Sequence, residues 1–441
     1  MQNQKESKDL HSTQPVIHRG PWVITDSAAA ARGFHEGIIE DGALVIADGL
    51  IKAIGKYRDI AKSFCHYPTR EYESTVLAPA LINGHCHLEL SYLDRADKIH
   101  GHGRYNGDLT TWIRDFLTAR ESLSQETAHG EELILNHTRK TLHQISGEGV
   151  AFVGDVGNSL VGRLVEDEQS ARVCFLLELL GLTKESEMNT FARLEKITAT
   201  KSSDVRFTAH APYSTTPALI QAIKKRAEQK SHIFSIHVAE SKQEVEFLQS
   251  GTGVFKEFLR ERGAWDGSFT IPGMGSVQYL ESLGVINAKT LCVHGVHVDQ
   301  AEMEILAKKK AKVCLCPGSN RFLGVGKAPV TEYLAHGILP ALGTDSKASN
   351  SVLNMWREMR LLREDHPSLL PESVFAMATR GGAEAWGVAS EMGTLEPGKR
   401  ALVLAINCKE KIYATNEVFE YLTTAGESIQ VEWLKQIQDG N

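Results

Sequence analysis

The segment "NGHCHLEL" (residues 83–90) closes an apolar run, "VLAPALI", with two histidines one residue apart. Side chains alternate between the two faces of a strand, so His85 and His87 would point the same way and Cys86 the other. Two imidazoles aimed at one place suggest a metal ion. An HxH pair alone is a weak signal, so further ligands have to come from elsewhere in the chain. Later apolar runs do end in ligand-capable residues: His210 in "VRFTAHAP", His237 in "SHIFSIHVAE" with Glu240 three residues on, His294 in "TLCVHGV" with His297 just after, and Asp345 in "ILPALGTDS". Taken singly, each has a plainer reading. Asp345 serves as well as a helix N-cap, and His294 as a packed histidine. Their recurrence at run after run is the stronger observation.

The elements that must position these residues form a regular rhythm. Eight short apolar runs, from "VLAPALING" through "GVAFVGDV" and "ARVCFLLELLG" to "KVCLCPGSN" and "ILPALGTDS", alternate with helix-like stretches such as "PALIQAIKKRAEQK". This alternation predicts an α/β protein built on a (β/α)8 TIM barrel over residues 76–388. Active sites of that fold lie at the C-terminal ends of the strands, where the histidines and Asp345 stand. Residues 1–75 and 389–441 differ in character, with short β-like runs and turns ("GALVIADGLIKAIG", "GTLEPGKRALVLAI"). They are expected to pair into a small β-sandwich domain, with the first fifteen or so residues disordered. Residues 91–145 insert between the first two runs and are a candidate lid. Glu89, Trp112 and Arg114 are candidates because they lie in or near it, although a tryptophan is more often core. Glu178, at the end of the third run, faces either the pocket or a buried partner.

Composition narrows the function. The 441 residues carry 48 Lys plus Arg against 55 Asp plus Glu, a formal charge of −7, which argues against a nucleic-acid partner. Long charge runs are absent, and "AKKKAKV" (307–313) reads as a helix end entering a strand. Seven scattered cysteines point to reduced thiols and a cytoplasmic protein. Cys314 and Cys316 read as two small strand residues on one face. The polar N-terminus has no signal-peptide pattern, and no apolar stretch approaches the ~20 residues a membrane-spanning helix needs.

"NGHCHLE", "HVAES", "VHGV", "CPGSN" and "GTDS", in this order and between β-like flanks, resemble the aminohydrolase/chlorohydrolase branch of the amidohydrolase superfamily. The resemblance covers nearly the whole chain. It implies one divalent metal held by His85, His87, His237 and Asp345. Relatives with two metals place a carboxylated lysine at the fourth strand; His210 stands there instead. Two departures are visible. Gly318 replaces the arginine of "CPRSN", and "GKRALVLAI" lacks the acidic residue usual in "GKxADLV". Within the branch, "FLQSGTGVF", "YLESLGV" and "NRFLGVGKAP" are similar to the 6-aminodeoxyfutalosine deaminases of menaquinone biosynthesis.

Imidazole and carboxylate ligands suit Zn²⁺ first and Fe²⁺ second, and they leave a position for a water of lowered pKa. The resemblance then implies deamination of an aminated heterocycle by water. His294 orients the water, Glu240 shuttles a proton to a ring nitrogen, Asp345 passes one to the leaving amine, and His210 contacts substrate. Deaminases of S-adenosylhomocysteine, methylthioadenosine or guanine stay open, as do dechlorination, hydrolysis of a cyclic amide, and a catalytically silent binding barrel. A homo-oligomer is also left open.

Overall fold

The structure, a computed structural model, describes residues 14–31, 37–95, 105–125, 130–165, 167, 170–199, 204–408, 412 and 414–434. The N-terminal stretch expected to be disordered falls, through residue 13, outside the described residues.

The strands in chain order are Val16–Ile24 (β1), Ile38–Ala47 (β2), Leu50–Lys56 (β3), Thr69–Glu71 (β4) and Thr75–Pro79 (β5). Then come Leu81–Cys86 (β6), Val150–Gly157 (β7), Arg172–Leu179 (β8) and Arg206–Ala209 (β9). Phe234–Val238 (β10), Thr290–His294 (β11), Lys312–Leu315 (β12) and Ala341–Leu342 (β13) follow, and Val403–Asn407 (β14) and Gln430–Trp433 (β15) end the series.

β6 to β9 make one four-stranded parallel sheet in sequence order, and β10 to β13 a second. The eight runs predicted as strands are these eight. The two sheets meet on both sides. The N–H groups of Thr344 and Asp345 donate to the His85 carbonyl, both at 3.1 Å, and the His237 N–H donates to the His210 carbonyl at 2.9 Å. Every residue of β7, β10 and β11 is buried, as strands covered on both faces must be. The covering layer is helical. Pro217–Gln229 starts from the N-cap Thr216, whose side chain accepts the Leu219 N–H, and buries the stripe Leu219, Ile220, Ile223 and Ala227. Between β7 and β8 the described connection holds only a short 3₁₀ turn, Val161–Leu164.

The chain ends do come together, in one mixed sheet. β15-β14-β5-β1-β2-β3, with β4 on β1, is one continuous seven-stranded mixed sheet, because hydrogen bonding runs unbroken from β15 to β3. The first apolar run also divides at Ala80. Its front half, β5, pairs with β1 and β14, and its back half, β6, opens the parallel sheets. Among the described residues no helix is long and apolar enough to cross a membrane.

Candidate active site

Ring nitrogens of His85, His87 and His237 lie within 4.8 Å of one another, where β6 and β10 end. His85 Nε2 is 3.3 Å from His237 Nε2 and 3.7 Å from Asp345 Oδ1, which is 3.5 Å from His87 Nε2. With metal–ligand bonds of about 2.05 Å, the edges of a coordination tetrahedron measure about 3.3 Å. These three separations, 3.3 to 3.7 Å, are close to the edges a Zn²⁺-sized ion imposes. The hydrogen bonds of these groups agree with this. The Nδ1 atoms of His87 and His237 donate to the carbonyls of Val156 and His210, both at 2.8 Å, so each Nε2 is left as a bare lone pair. Asp345 Oδ2 accepts the hydroxyls of Ser319 and Ser349, both at 2.7 Å, which leaves Oδ1 for the cluster.

Charge follows from burial. It drives the His85 pKa down to about 4, against the opposing pull of Asp345, and drives His237 well below its ordinary value. Burial favours a protonated Asp345, but the hydrogen bond to His85 and the charges of His87 and His294 hold it well below the carboxylate range. His87 is raised, since Asp345 and nearby carboxylates outweigh its burial. The neutral imidazoles of His85 and His237 beside an ionised Asp345 suit a divalent cation, and His87 gives up its proton more readily once a cation is bound.

Glu240 and His294 flank this cluster, with Oε1 and Nε2 3.7 Å apart. Burial, then the negative charge of Asp345, pushes the Glu240 pKa up to about 8, and burial lowers that of His294. Ala239, His294 and Asp345 all have left-handed backbones, with φ of 50°, 72° and 57°. Such strain in residues with side chains gathers at functional sites.

The side chains of His87, His237, Glu240, His294 and Asp345 open onto one cavity of about 660 Å³, with His85 fully buried behind them. His210 lines it, with Nδ1 bonded to Ser214 Oγ at 2.6 Å. Glu178 combines both of its expected readings. It lines the cavity, its Oε2 accepts from Asn158 Nδ2 at 2.9 Å, and its Oε1 lies 3.6 Å from His237 Nδ1. Trp112 proves to be a wall residue; it stacks on Phe116, and its indole N–H donates to the Ala348 carbonyl at 2.9 Å. Three candidates are not brought in. Glu89 accepts the N–H groups of Asn158 and Ser159, at 2.8 and 3.0 Å. Arg114 reaches outward to Glu261 at 2.6 Å. His297 donates to the Val325 carbonyl at 2.8 Å.

The model of the amidohydrolase family matches residues 76–431. The chain belongs to the amidohydrolase family. It is 29% identical over 415 residues to the 5-methylthioadenosine/S-adenosylhomocysteine deaminase of Pelotomaculum thermopropionicum, covering 90% of this chain and 87% of that one. Among solved structures it resembles Helicobacter pylori aminofutalosine deaminase in complex with methylthio-coformycin, with a TM-score of 0.76, 23% identity and coverage of 92% and 95%. It also resembles a Xanthomonas campestris adenosine deaminase with bound zinc, with a TM-score of 0.71, 20% identity and coverage of 97% and 94%. At these identities the two structures show the fold. This amidohydrolase is a hydrolase of carbon–nitrogen bonds.

Several residues that build the site of this amidohydrolase were not singled out by sequence. Besides Ser319 and Ser349, Asn83 ties β6 to the end of β13 by donating to Thr344 Oγ1 at 2.8 Å and accepting its N–H at 3.1 Å. The departure at Gly318 has a local cause. Its N–H donates to buried Glu358 at 2.6 Å, and a Cβ there would stand 2.4 Å from that carboxylate and 2.5 Å from Asn350. Glu244 carries the turn before Glu240, and its only sequence trace is "SKQE", the S-x-x-E pattern of a helix start.

Proposed function

We propose that this chain is a metal-dependent hydrolytic deaminase of an aminated purine nucleoside, working at the ends of a closed (β/α)8 barrel. The contacts that join the two parallel sheets at both borders support the barrel, read as residues 76–388 between the two parts of the end domain. His85, His87, His237 and Asp345 would hold the metal, zinc by preference and iron as the alternative. Bound there, the metal supplies a water acidified toward neutral pH. His294 orients the water. Glu240 takes its proton and delivers it to the ring nitrogen beside the amidine carbon. Asp345, ionised, takes the remaining proton of the added hydroxyl and passes it to the leaving amine, so that C–NH₂ and water become C=O and ammonia. His210 contacts the far side of the substrate. The observation that carries this reading is the position of Glu240: a buried carboxyl of raised pKa, in the same cavity as the metal-ligand set and 3.7 Å from His294.

For the substrate, the motifs shared with the 6-aminodeoxyfutalosine deaminases and the likeness to the H. pylori enzyme support 6-aminodeoxyfutalosine, in menaquinone biosynthesis. A second reading, methylthioadenosine or S-adenosylhomocysteine, is favoured by the relative at 29% identity. Ammonia release from these three compounds, adenosine and guanine on one preparation decides between them. Aminodeoxyfutalosine is expected to have the highest kcat/KM. A lead of about tenfold for either of the other two moves the assignment to the second reading. A lead for guanine ends both, and no ammonia from any of them ends the deaminase reading.

A further inference from the structure

We infer that Glu244 is the positioning residue for Glu240: its buried carboxylate holds the turn from which Glu240 is presented to the substrate, so its loss slows proton transfer while leaving the metal in place. The inference rests on the role given to Glu240 above.

Glu244 is the third residue of the helix Lys242–Ser250, whose N-cap Ser241 accepts the Glu244 N–H at 3.2 Å. A glutamate at this position ordinarily turns back to the N–H of the cap residue itself. Glu302 does so in the same chain, accepting the N–H of its own N-cap Asp299 at 3.2 Å. Glu244 instead reaches past its cap to the two residues before it. Its Oε1 accepts the Ala239 N–H at 2.8 Å and the Ser276 hydroxyl at 2.7 Å, and its Oε2 accepts the Glu240 N–H at 2.9 Å. The side chain is fully buried.

Two adjacent N–H groups can share one carboxylate because Ala239 takes a left-handed backbone, with φ of 50°. Alanine adopts that conformation only where its surroundings impose it. The opposite edge of the turn is also held: the Val238 and Ala239 carbonyls accept the N–H groups of Gly295, at 3.0 Å, and His297, at 2.9 Å, on the segment that follows His294. Glu244 therefore helps to set the Glu240–His294 spacing. His237 is fixed independently, since both its N–H and its Nδ1 donate to the His210 carbonyl. Without Glu244 the two buried N–H groups would have no acceptor, and the turn would relax at Glu240 rather than at the metal ligand.

The test is a mutant cycle on the metal-loaded enzyme. Glu244→Gln puts an amide NH₂ against one of the two N–H groups. It should keep the metal content and a KM within about threefold, while kcat falls about tenfold or more. The double variant with Glu240→Gln should be no slower than Glu240→Gln alone, within a factor of about two, because Glu244 acts through Glu240. Losses that multiply in the double variant, or loss of metal from Glu244→Gln, overturn the inference. If Glu244→Gln does not fold, Ser276→Ala removes one hydroxyl from the same carboxylate; kcat should then fall less, and the same cycle with Glu240→Gln decides by the same criterion. Wild-type speed in Glu240→Gln would refute the role of Glu240 itself and the inference with it. A slow Glu240→Gln with multiplying losses refutes this inference alone.

Discussion

The rings of His87 and His237 stand 5.5 Å apart and within 9° of parallel, each with Nδ1 committed to a main-chain carbonyl. Both rings are thereby oriented with Nε2 turned to the cluster, before any metal arrives. A site assembled in this way should bind tightly, because little ordering remains to be done on binding.

Metal analysis should therefore find about one zinc or iron per chain, with Zn²⁺ restoring activity to chelated protein. His237→Ala and Asp345→Asn should each lower the metal content and abolish turnover. An enzyme that stays fully active after exhaustive chelation is incompatible with this site.

Glu240 is not among the expected ligands, so its loss should separate chemistry from metal binding. Glu240→Gln is nearly isosteric and should keep the metal while kcat falls by ~10²-fold or more. Loss of metal together with activity would make Glu240 a ligand and its proton-transfer role wrong.

The residues that were legible in the sequence are those whose signal is local. His85, His87, His237, His294 and Asp345 each end an apolar run, and strand periodicity with the end-of-strand rule places them together. Glu89 and Arg114 misled because proximity to the insertion in sequence says nothing of where a side chain turns; Glu89 turned to the main chain of Asn158 and Ser159, and Arg114 outward to Glu261. Ser319, Ser349 and Asn83 were illegible for another reason. Serine and asparagine near turns usually cap a helix, and the bond between Asn83 and Thr344 spans 261 residues. The strand order of the end sheet was illegible in the same way. The strands of β1, β5 and β14 are readable, but which edges they share is a matter of pairing across most of the chain.

Burial of carboxyls should appear in the pH dependence of stability of the metal-free protein. Glu240 keeps its proton up to about pH 8 when folded, and Asp155 and Glu358 keep theirs up to about 7, in each case chiefly through burial. Unfolded, such groups release it near pH 4 to 4.5. The folded state then binds more protons across that window, so these groups contribute stability fully below about pH 4 and lose it as pH rises through 7 to 8. Tm of chelated protein should fall over that range. Glu240→Gln cannot ionise, so its Tm should match wild type at pH 4 and exceed it at pH 9. Parallel curves would mean that Glu240 titrates as an exposed carboxylate.

Trp112 joins the inserted helix Leu109–Gln125 to the metal end of the cavity, since its indole N–H donates to the carbonyl of Ala348, three residues beyond Asp345. With Phe116 it forms one apolar wall of the cavity. A wall contact of this kind binds the non-reacting part of a substrate and contributes to orientation more than to the chemical step. Trp112→Ala should raise KM for a nucleoside substrate about tenfold or more, with a smaller fall in kcat and no change in metal content. Trp112→Phe keeps a ring against Phe116 and loses only the hydrogen bond, so it should fall between wild type and alanine. A kcat loss in the alanine variant with KM unchanged would place Trp112 behind Asp345 rather than on the substrate. Wild-type kinetics in the alanine variant would remove the insertion from the site altogether.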